Sequence, residues 1–410
     1  MLKIKSVLSF VFVLLFVIQA DAQKKEDWIF KNIDSAWLPR LNATENVLGN
    51  PNSLNQLFTK LYKIKHFSKE NAVFVHIGDS HIQADIETAV IRNEFQLFYG
   101  NAGRGLIFPF QVAKTNAPSD IISSSRTAWK SNRVTKADTL TTCGISAFGI
   151  QSQSSNPEFS FELRTKNGYR DSFDRVKLFM SGKVSELFLE YNDMQAENAC
   201  YTMPPNYAAF DLNNTTSGFK LTFPTTDNIT FYGASIEKND ACGIIYHNIG
   251  ANGAKYSDFN KTPRFWKQLK YLNADCYIIS LGTNEAQDPN LTSESFLVEV
   301  KTMVNKLRAI SPNASIILTT PPVSFFKKHF PNQSLVVITN ALIDYCIKNN
   351  LVYWDLFGVS KGLEGAKIWK SNQLLRPDLV HFSREGYMLQ GNLFVDAFVK
   401  SWNEFLCKNH

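Results

Sequence analysis

Apolar positions along this 410-residue chain change period twice. Between residues 27 and 71, Leu54, Leu57, Leu61 and Ile64 recur at helical spacing, which predicts an amphipathic lead-in. Residues 72–77 then run continuously apolar, break at Gly78 and give way to a helix-like stretch over 85–98. That pattern predicts a strand, a sharp turn and a helix, with Ser80 at the turn. From about residue 99 to 240 the period becomes two, as in Phe159-Ser160-Phe161-Glu162-Leu163 and Phe219-Lys220-Leu221-Thr222-Phe223, with Ser, Asn and Thr enriched between runs. Alternation of this kind predicts an antiparallel β-sandwich. Afterwards strands over 244–249, 276–281, 315–320 and 351–356 are interleaved with helical stretches around 259–272, 293–310 and 335–348.

Strands alternating with helices predict a parallel sheet covered on both faces, an α/β architecture. Because the βα rhythm resumes after residue 240, the sandwich reads as inserted rather than appended. The expected division is 1–22 as a signal peptide, 23–99 as lead-in and first part of the α/β domain, 100–240 as the insertion and 241–410 as the second part. The length agrees with two domains. In open α/β sheets the ligand crevice lies beyond the carboxyl ends of the strands. Ser80, Gly253, Asn284 and His381 all fall just after strands or in the last loop.

Composition narrows the class. Lys3 and Lys5 precede an apolar run over 7–18 and an Ala20-Asp21-Ala22 cleavage pattern, so the chain is expected to be exported, to a periplasmic or extracellular location. The run is short for a bilayer span of roughly 20 residues, and no stable membrane anchor is expected. Formal charge is +6, but Lys and Arg are scattered, which argues against a nucleic-acid partner and leaves weak attraction to anionic wall polymers. The six cysteines lack the paired spacing of zinc ligands. No metal or cofactor is expected. Cys200 and Cys242 are the candidate disulfide pair, and Cys276, opening an apolar strand, reads as a buried small hydrophobe.

The chemistry gathers in four short blocks: Gly78-Asp79-Ser80-His81, Asn252-Gly253-Ala254, Gly282-Thr283-Asn284 and Asp378-Leu379-Val380-His381. Serine is a poor nucleophile at neutral pH unless a base takes its proton, a third group orients the base and fixed donors receive the oxyanion charge. Ser80, at a strand-to-helix turn, is the candidate nucleophile. Three-residue spacing lets Asp378 hold Nδ1 of His381 while Nε2 faces the serine. The Ser80 and Gly253 N–H groups and the Asn284 amide are candidate oxyanion donors.

In chain order these blocks resemble the SGNH (GDSL-type) hydrolase superfamily. The resemblance covers about residues 50–100 and 240–405. It implies a flavodoxin-like three-layer parallel-sheet domain, with Ser80, Asp378 and His381 as catalytic triad and Ser80, Gly253 and Asn284 as oxyanion hole. Glu285 departs from the usual Gly-x-Asn-Asp, which leaves its role open. The motif Gly78-Asp79-Ser80-His81, the β-rich insertion and the signal together look more like the peptidoglycan O-acetylesterases and acetyltransferases of the superfamily than its lipases. The implied function is a secreted serine esterase removing O-acetyl groups from a cell-wall or other exported polysaccharide, its expected partner. A polysaccharide O-acetyltransferase with the same triad and a catalytically inactive glycan-binding protein are the alternatives. A metallophosphoesterase is faintly echoed by Gly-Asp-x-His and Asn284-Glu285, but seven histidines and no His-x-His make a poor two-metal set.

Other residues are read more plainly. His76 is expected to be a satisfied core histidine, His81 to cap or shape the pocket, Asp79 to brace its loop, and Gly250 to be a turn glycine. Gly100-Asn101-Ala102-Gly103-Arg104-Gly105 lacks the ending of a phosphate loop and reads as a flexible junction, with Arg104 free to reach the site's rim. Trp129, Tyr191 and Tyr207 are candidate sugar-stacking residues, with packing as the competing role.

Overall fold

The computed structural model describes residues 28–67, 70–136, 143–165, 171–182, 187–195, 200–201, 208–224 and 228–409. The signal segment and Tyr207 lie outside them. Among the described residues no helix is long and apolar enough to cross a membrane.

Strand Asn71–Gly78 is buried from its second residue onward, as its unbroken apolar run requires of a strand covered on both faces. It is an interior strand of a seven-stranded sheet. On one side Asn71–Gly78 pairs in parallel with Gly243–Gly250, and on the other with Cys276–Ser280, followed by Ser315–Thr319 and Val352–Trp354. Numbered along the chain, these five parallel strands run in the flavodoxin-like order 2-1-3-4-5. Asn101–Gly103 adds a short parallel edge beyond Gly243–Gly250, and Leu48–Gly49 closes the other edge antiparallel to Val352–Trp354. The lead-in helix Asn55–His66 buries Leu57, Phe58, Leu61 and Ile64, three of them among the positions that predicted it.

Helix Arg384–Asn409 has no counterpart in the sequence-derived map. It buries residues on several faces, including Tyr387, Leu389, Leu393, Phe394, Phe398 and Trp402, so its apolar pattern has no clear helical period.

The insertion is a sandwich of a five-stranded and a seven-stranded antiparallel sheet, with strands between Gly105 and Glu237. Phenylalanines fill the space between the sheets: Phe159 lies 4.6 Å from Phe231 and Phe173 lies 5.9 Å from Phe219 across it. The expected flexible junction is a weld. Asn101–Gly103 belongs to the catalytic sheet, Gly105–Ile107 pairs with Ile229–Glu237 of the sandwich, and Arg104 between them is buried. A guanidinium can be buried only if paired, and Arg104 binds Asp85 at 2.7 Å and Asp120 at 3.0 Å instead of reaching the rim.

The Cys200–Cys242 pairing is also overturned, because Cys242 is a free thiol. It precedes the catalytic-sheet strand Gly243–Gly250, whereas Cys200 begins a strand at the outer edge of the sandwich. Cys276 is fully buried, as expected.

Candidate active site

The turn at Ser80 depends on a close approach of backbone. Strand Asn71–Gly78 ends, Asp79 caps the short helix Ser80–Gln83 by accepting the His81 N–H at 3.0 Å, and this helix lies against the ends of both neighbouring strands. A Cβ on Gly250 would sit 2.1 Å from the Gln83 nitrogen, so Gly250 is required for contact rather than for a turn. Asn248 fastens the helix end by donating to the Ile82 carbonyl at 2.9 Å.

Asp378 and His381 come from a loop with Leu379 in the left-handed region at φ 58°. The Asp378 carboxylate accepts the Val380 N–H at 2.9 Å and the His381 N–H at 2.8 Å through one oxygen, and lies 3.0 Å from His381 Nδ1 through the other. His381 Nε2 is then 2.8 Å from Ser80 Oγ. Partial burial pushes the Asp378 carboxyl up, but its hydrogen bonds from His381 and Val380 outweigh burial and hold it below the ordinary value. Asp378 is therefore anionic at neutral pH, the state needed to orient the imidazole and to stabilise its cation.

The oxyanion candidates sit around the same point. Ser80 opens a helix, where backbone N–H groups lack intrahelical partners. Gly253 has φ 81°, and a Cβ there would meet only the Thr135 methyl, at 4.0 Å, so the insertion borders this loop. The Asn284 amide donates to the Ala254 carbonyl at 3.0 Å and to Asp79 at 3.2 Å, which fixes its plane beside the nucleophile's turn.

Buried acids underlie the loops. Burial pushes the Asp79 carboxyl up to about 8, against the His81 N–H and with help from nearby Glu285. Glu285 is pushed by burial up to about 7 and accepts the Tyr256 N–H at 2.8 Å, which makes it a brace for the loop after Gly253. His81 is buried, its Nδ1 3.0 Å from the Tyr387 hydroxyl and its ring 5.4 Å from that of His381. Burial, then the neighbouring His381, push it down to about 3. The His381 imidazole thus packs on a neutral ring. His76 is a satisfied core residue between Tyr246 at 2.8 Å and Ser280 at 2.7 Å.

Sequence reasoning missed two supports. Gln83 accepts the Asn252 N–H at 2.7 Å and donates to the Asn116 carbonyl at 2.9 Å, joining the oxyanion loop to the insertion. Asp85 receives both guanidinium nitrogens of Arg92 at 2.9 Å besides Arg104. Burial pushes the Asp85 carboxyl up, yet the two arginines hold it far below the ordinary value. Only a buried polar residue one turn after the nucleophile could have hinted at Gln83. The described aromatics take the packing role rather than sugar stacking: Tyr191 is buried, and Trp129 packs on Phe159 with its indole nitrogen 2.9 Å from Ser125 Oγ. Tyr191 therefore fills the sandwich, while Trp129 is half-buried at its edge.

Comparison with known proteins bears on the fold. The family model described as GDSL-like Lipase/Acylhydrolase family matches residues 216–389, a range that holds Gly253, Asn284, Asp378 and His381. Ser80 lies upstream of it because the insertion separates the first block from the rest. An isoamyl acetate-hydrolyzing esterase of Schizosaccharomyces pombe is 28% identical over 139 residues, 32% of this chain and 53% of that esterase. The chain thus spans about half the length of this curated relative. A solved peptidoglycan O-acetylesterase superposes with TM-score 0.71 at 21% identity, covering 89% of this chain and 98% of that one. Coverage of that extent takes in the inserted sheets, and the chain shares this SGNH hydrolase fold.

Proposed function

We propose that this chain, built on the GDSL-type hydrolase fold, is an exported serine esterase that removes O-acetyl groups from a cell-wall or other exported polysaccharide. The observation that carries the reading is the unbroken relay from Ser80 Oγ to His381 Nε2 at 2.8 Å and from His381 Nδ1 to Asp378 at 3.0 Å. It lies at the carboxyl ends of the parallel strands, at the switch in strand order where such sheets bind ligands. The acetyl specificity is supported by the fold shared with the peptidoglycan O-acetylesterase, insertion included.

In this reading Ser80 Oγ attacks the acetyl carbonyl carbon while its proton passes to His381 Nε2. Asp378 keeps Nδ1 protonated and balances the imidazolium. Negative charge on the carbonyl oxygen is met by the N–H groups of Ser80 and Gly253 and by Asn284 Nδ2. Collapse expels the sugar oxygen, which takes the proton from His381. Water, activated by the same imidazole, then releases acetate from the acetyl-serine. An acetyltransferase differs only in the last step, where a sugar hydroxyl replaces water.

Acetate release from O-acetylated peptidoglycan and from acetylated xylan, with native protein and Ser80→Ala, tests the proposal. Release by the native protein and its loss in folded Ser80→Ala are expected, because nucleophile and base act as one unit. Near-native turnover by Ser80→Ala would overturn the serine mechanism, and turnover of aryl acetate without release from any glycan would overturn the polysaccharide assignment.

A further inference from the structure

One surface element touches two catalytic loops yet has no part in the relay. Residues 324–332 form a small hairpin, Phe325–Phe326 against Phe330–Pro331, between the Asn284 and His381 loops. Its base is pinned on both sides. The Phe325 N–H donates to the carbonyl of Leu379, inside the Asp378–His381 loop, at 2.8 Å. Gln287, three residues after Asn284, donates to the Phe325 carbonyl at 3.2 Å, and Asn332 donates to the Ala286 carbonyl at 2.8 Å.

The tip is built against local preference. Lys327 and Lys328 occupy consecutive left-handed positions, φ 47° and 65°, and the turn closes with the His329 N–H on the Phe326 carbonyl at 3.1 Å. Asn-Gly is the easier choice for such a turn, since left-handed backbone costs a non-glycine residue on the order of 1 kcal/mol. Strain held at a site's edge points to a role for the side chains that impose it. Here they are two exposed lysines beside an aromatic pair, Phe326 and Phe330, stacked at 6.1 Å and 28°. Phe330 is 55% exposed, an apolar surface left in water next to the catalytic loop.

Two further cations flank the hairpin. Lys370 lies over the buried face of the hairpin, 5.2 Å from the Phe325 ring, and exposed Arg376 belongs to the His381 loop. Among the described residues no acidic side chain pairs with Lys327, Lys328, Lys370 or Arg376. A sugar ring offers an apolar C–H face to an aromatic, and unpaired cations at a cleft mouth attract anionic polymer.

We propose that hairpin 324–332, with Lys370 and Arg376 beside it, is a substrate-holding lip for an acidic glycan, in which Phe326 and Phe330 pack on a sugar ring and the basic side chains pair with carboxylates of the polymer. It rests on the glycan-esterase reading and deepens it by naming the substrate's charge. Contact through Leu379 places the polymer where its acetyl group can enter the relay, so remote binding energy serves turnover of polymer only.

The test compares Lys327→Ser/Lys328→Ser and Phe330→Ser, all at exposed positions, on three substrates in full-length protein. With O-acetylated peptidoglycan kcat/KM should fall about tenfold through KM in both variants, equivalent to about 1.4 kcal/mol. Neutral acetylated xylan should lose rate only in Phe330→Ser, and a soluble aryl acetate in neither. Raising salt to about 0.5 M should abolish the lysine effect. Unchanged peptidoglycan kinetics, or equal loss on aryl acetate, would overturn the lip. Co-sedimentation of Ser80→Ala protein with insoluble de-O-acetylated peptidoglycan separates this from failure of the esterase reading. Binding weakened by the hairpin substitutions supports the lip even without glycan turnover. Binding indifferent to them, or their effect appearing instead on anionic phospholipid vesicles, overturns it.

Discussion

Asp378 meets three hydrogen-bond donors with two oxygens: the amides of Val380 and His381 and the His381 ring. The backbone bonds aim the carboxylate, and the aimed carboxylate then fixes the tautomer of the imidazole. Asp378→Asn keeps the shape but presents an amide where an anion is needed. We expect kcat on an aryl acetate to fall by about 10⁴-fold with little loss of fold. A variant within a few-fold of native turnover would mean that another carboxylate orients His381. The five named residues were legible because each stands in a short block, Ser80, Gly253 and Asn284 just after strands and Asp378 and His381 in the last loop, where local order and function coincide. Glu285, Gln83 and Asp85 were not, since their roles are set by Tyr256, Asn252 and Arg104, partners that only the folded chain brings near.

At the scale of elements, the short helix Ser80–Gln83 begins with the nucleophile and ends with the residue that holds the oxyanion loop. Gln83 is a positioning residue, acting through Asn252 on Gly253. Gln83→Ala should lower kcat on a small ester by about tenfold or more, with KM little changed, because a displaced oxyanion donor is missed mainly in the transition state. Thr115→Val, which removes one partner of the Gln83 amide at 3.2 Å, should give a smaller loss that is not additive with it. Gln83→Glu keeps an acceptor for Asn252 and should recover part of kcat, whereas a purely KM effect would assign Gln83 to substrate contact. Elements with a clean period, such as Ser293–Ile310, were legible to the residue. The terminal helix was not, since burial on several sides erased its polar stripe. The junction at Arg104 was misread because glycines that suit flexibility also suit close strand contact.

For the molecule as a whole, three buried carboxyls near the site set a pH dependence of stability. Burial raises Asp79 from 3.8 to about 8, Glu87 from 4.5 to about 8 and Glu285 from 4.5 to about 7. The unfolded chain releases these protons near pH 4, while the folded chain keeps them to between 7 and 8. Between those limits the folded state binds more protons, so stability is fully present below the unfolded values and is lost as pH rises toward 8. His76, His81 and His247, which burial pushes down to about 3, act in the opposite sense up to their unfolded value of 6.5, so Tm should decline from about pH 6.5 to 8, and Asp79→Asn should flatten the decline. A Tm that rises across this interval would mean that these carboxyls are ionised in the folded protein.

The pairing of Gly105–Ile107 with Ile229–Glu237 also bears on how the chain reaches this state. The interior strand Asn71–Gly78 finds both of its hydrogen-bonding neighbours, Gly243–Gly250 and Cys276–Ser280, only beyond the insertion. Contacts across so long an interval slow folding, because the intervening chain must be brought back before any of them forms. Here the interval is a contiguous sandwich whose entry and exit strands pair, Leu106 opposite Ser235. Once it has folded, what still separates Asn71–Gly78 from Gly243–Gly250 is residues 79–104, largely the helix Glu87–Tyr99 and its neighbours, and the few residues from Glu237 to Gly243, and the entropy of closing the rest of the long loop has already been met by the sandwich's own contacts. The inserted domain therefore works during folding as a fastener, delivering the serine strand and the oxyanion strand to each other in register.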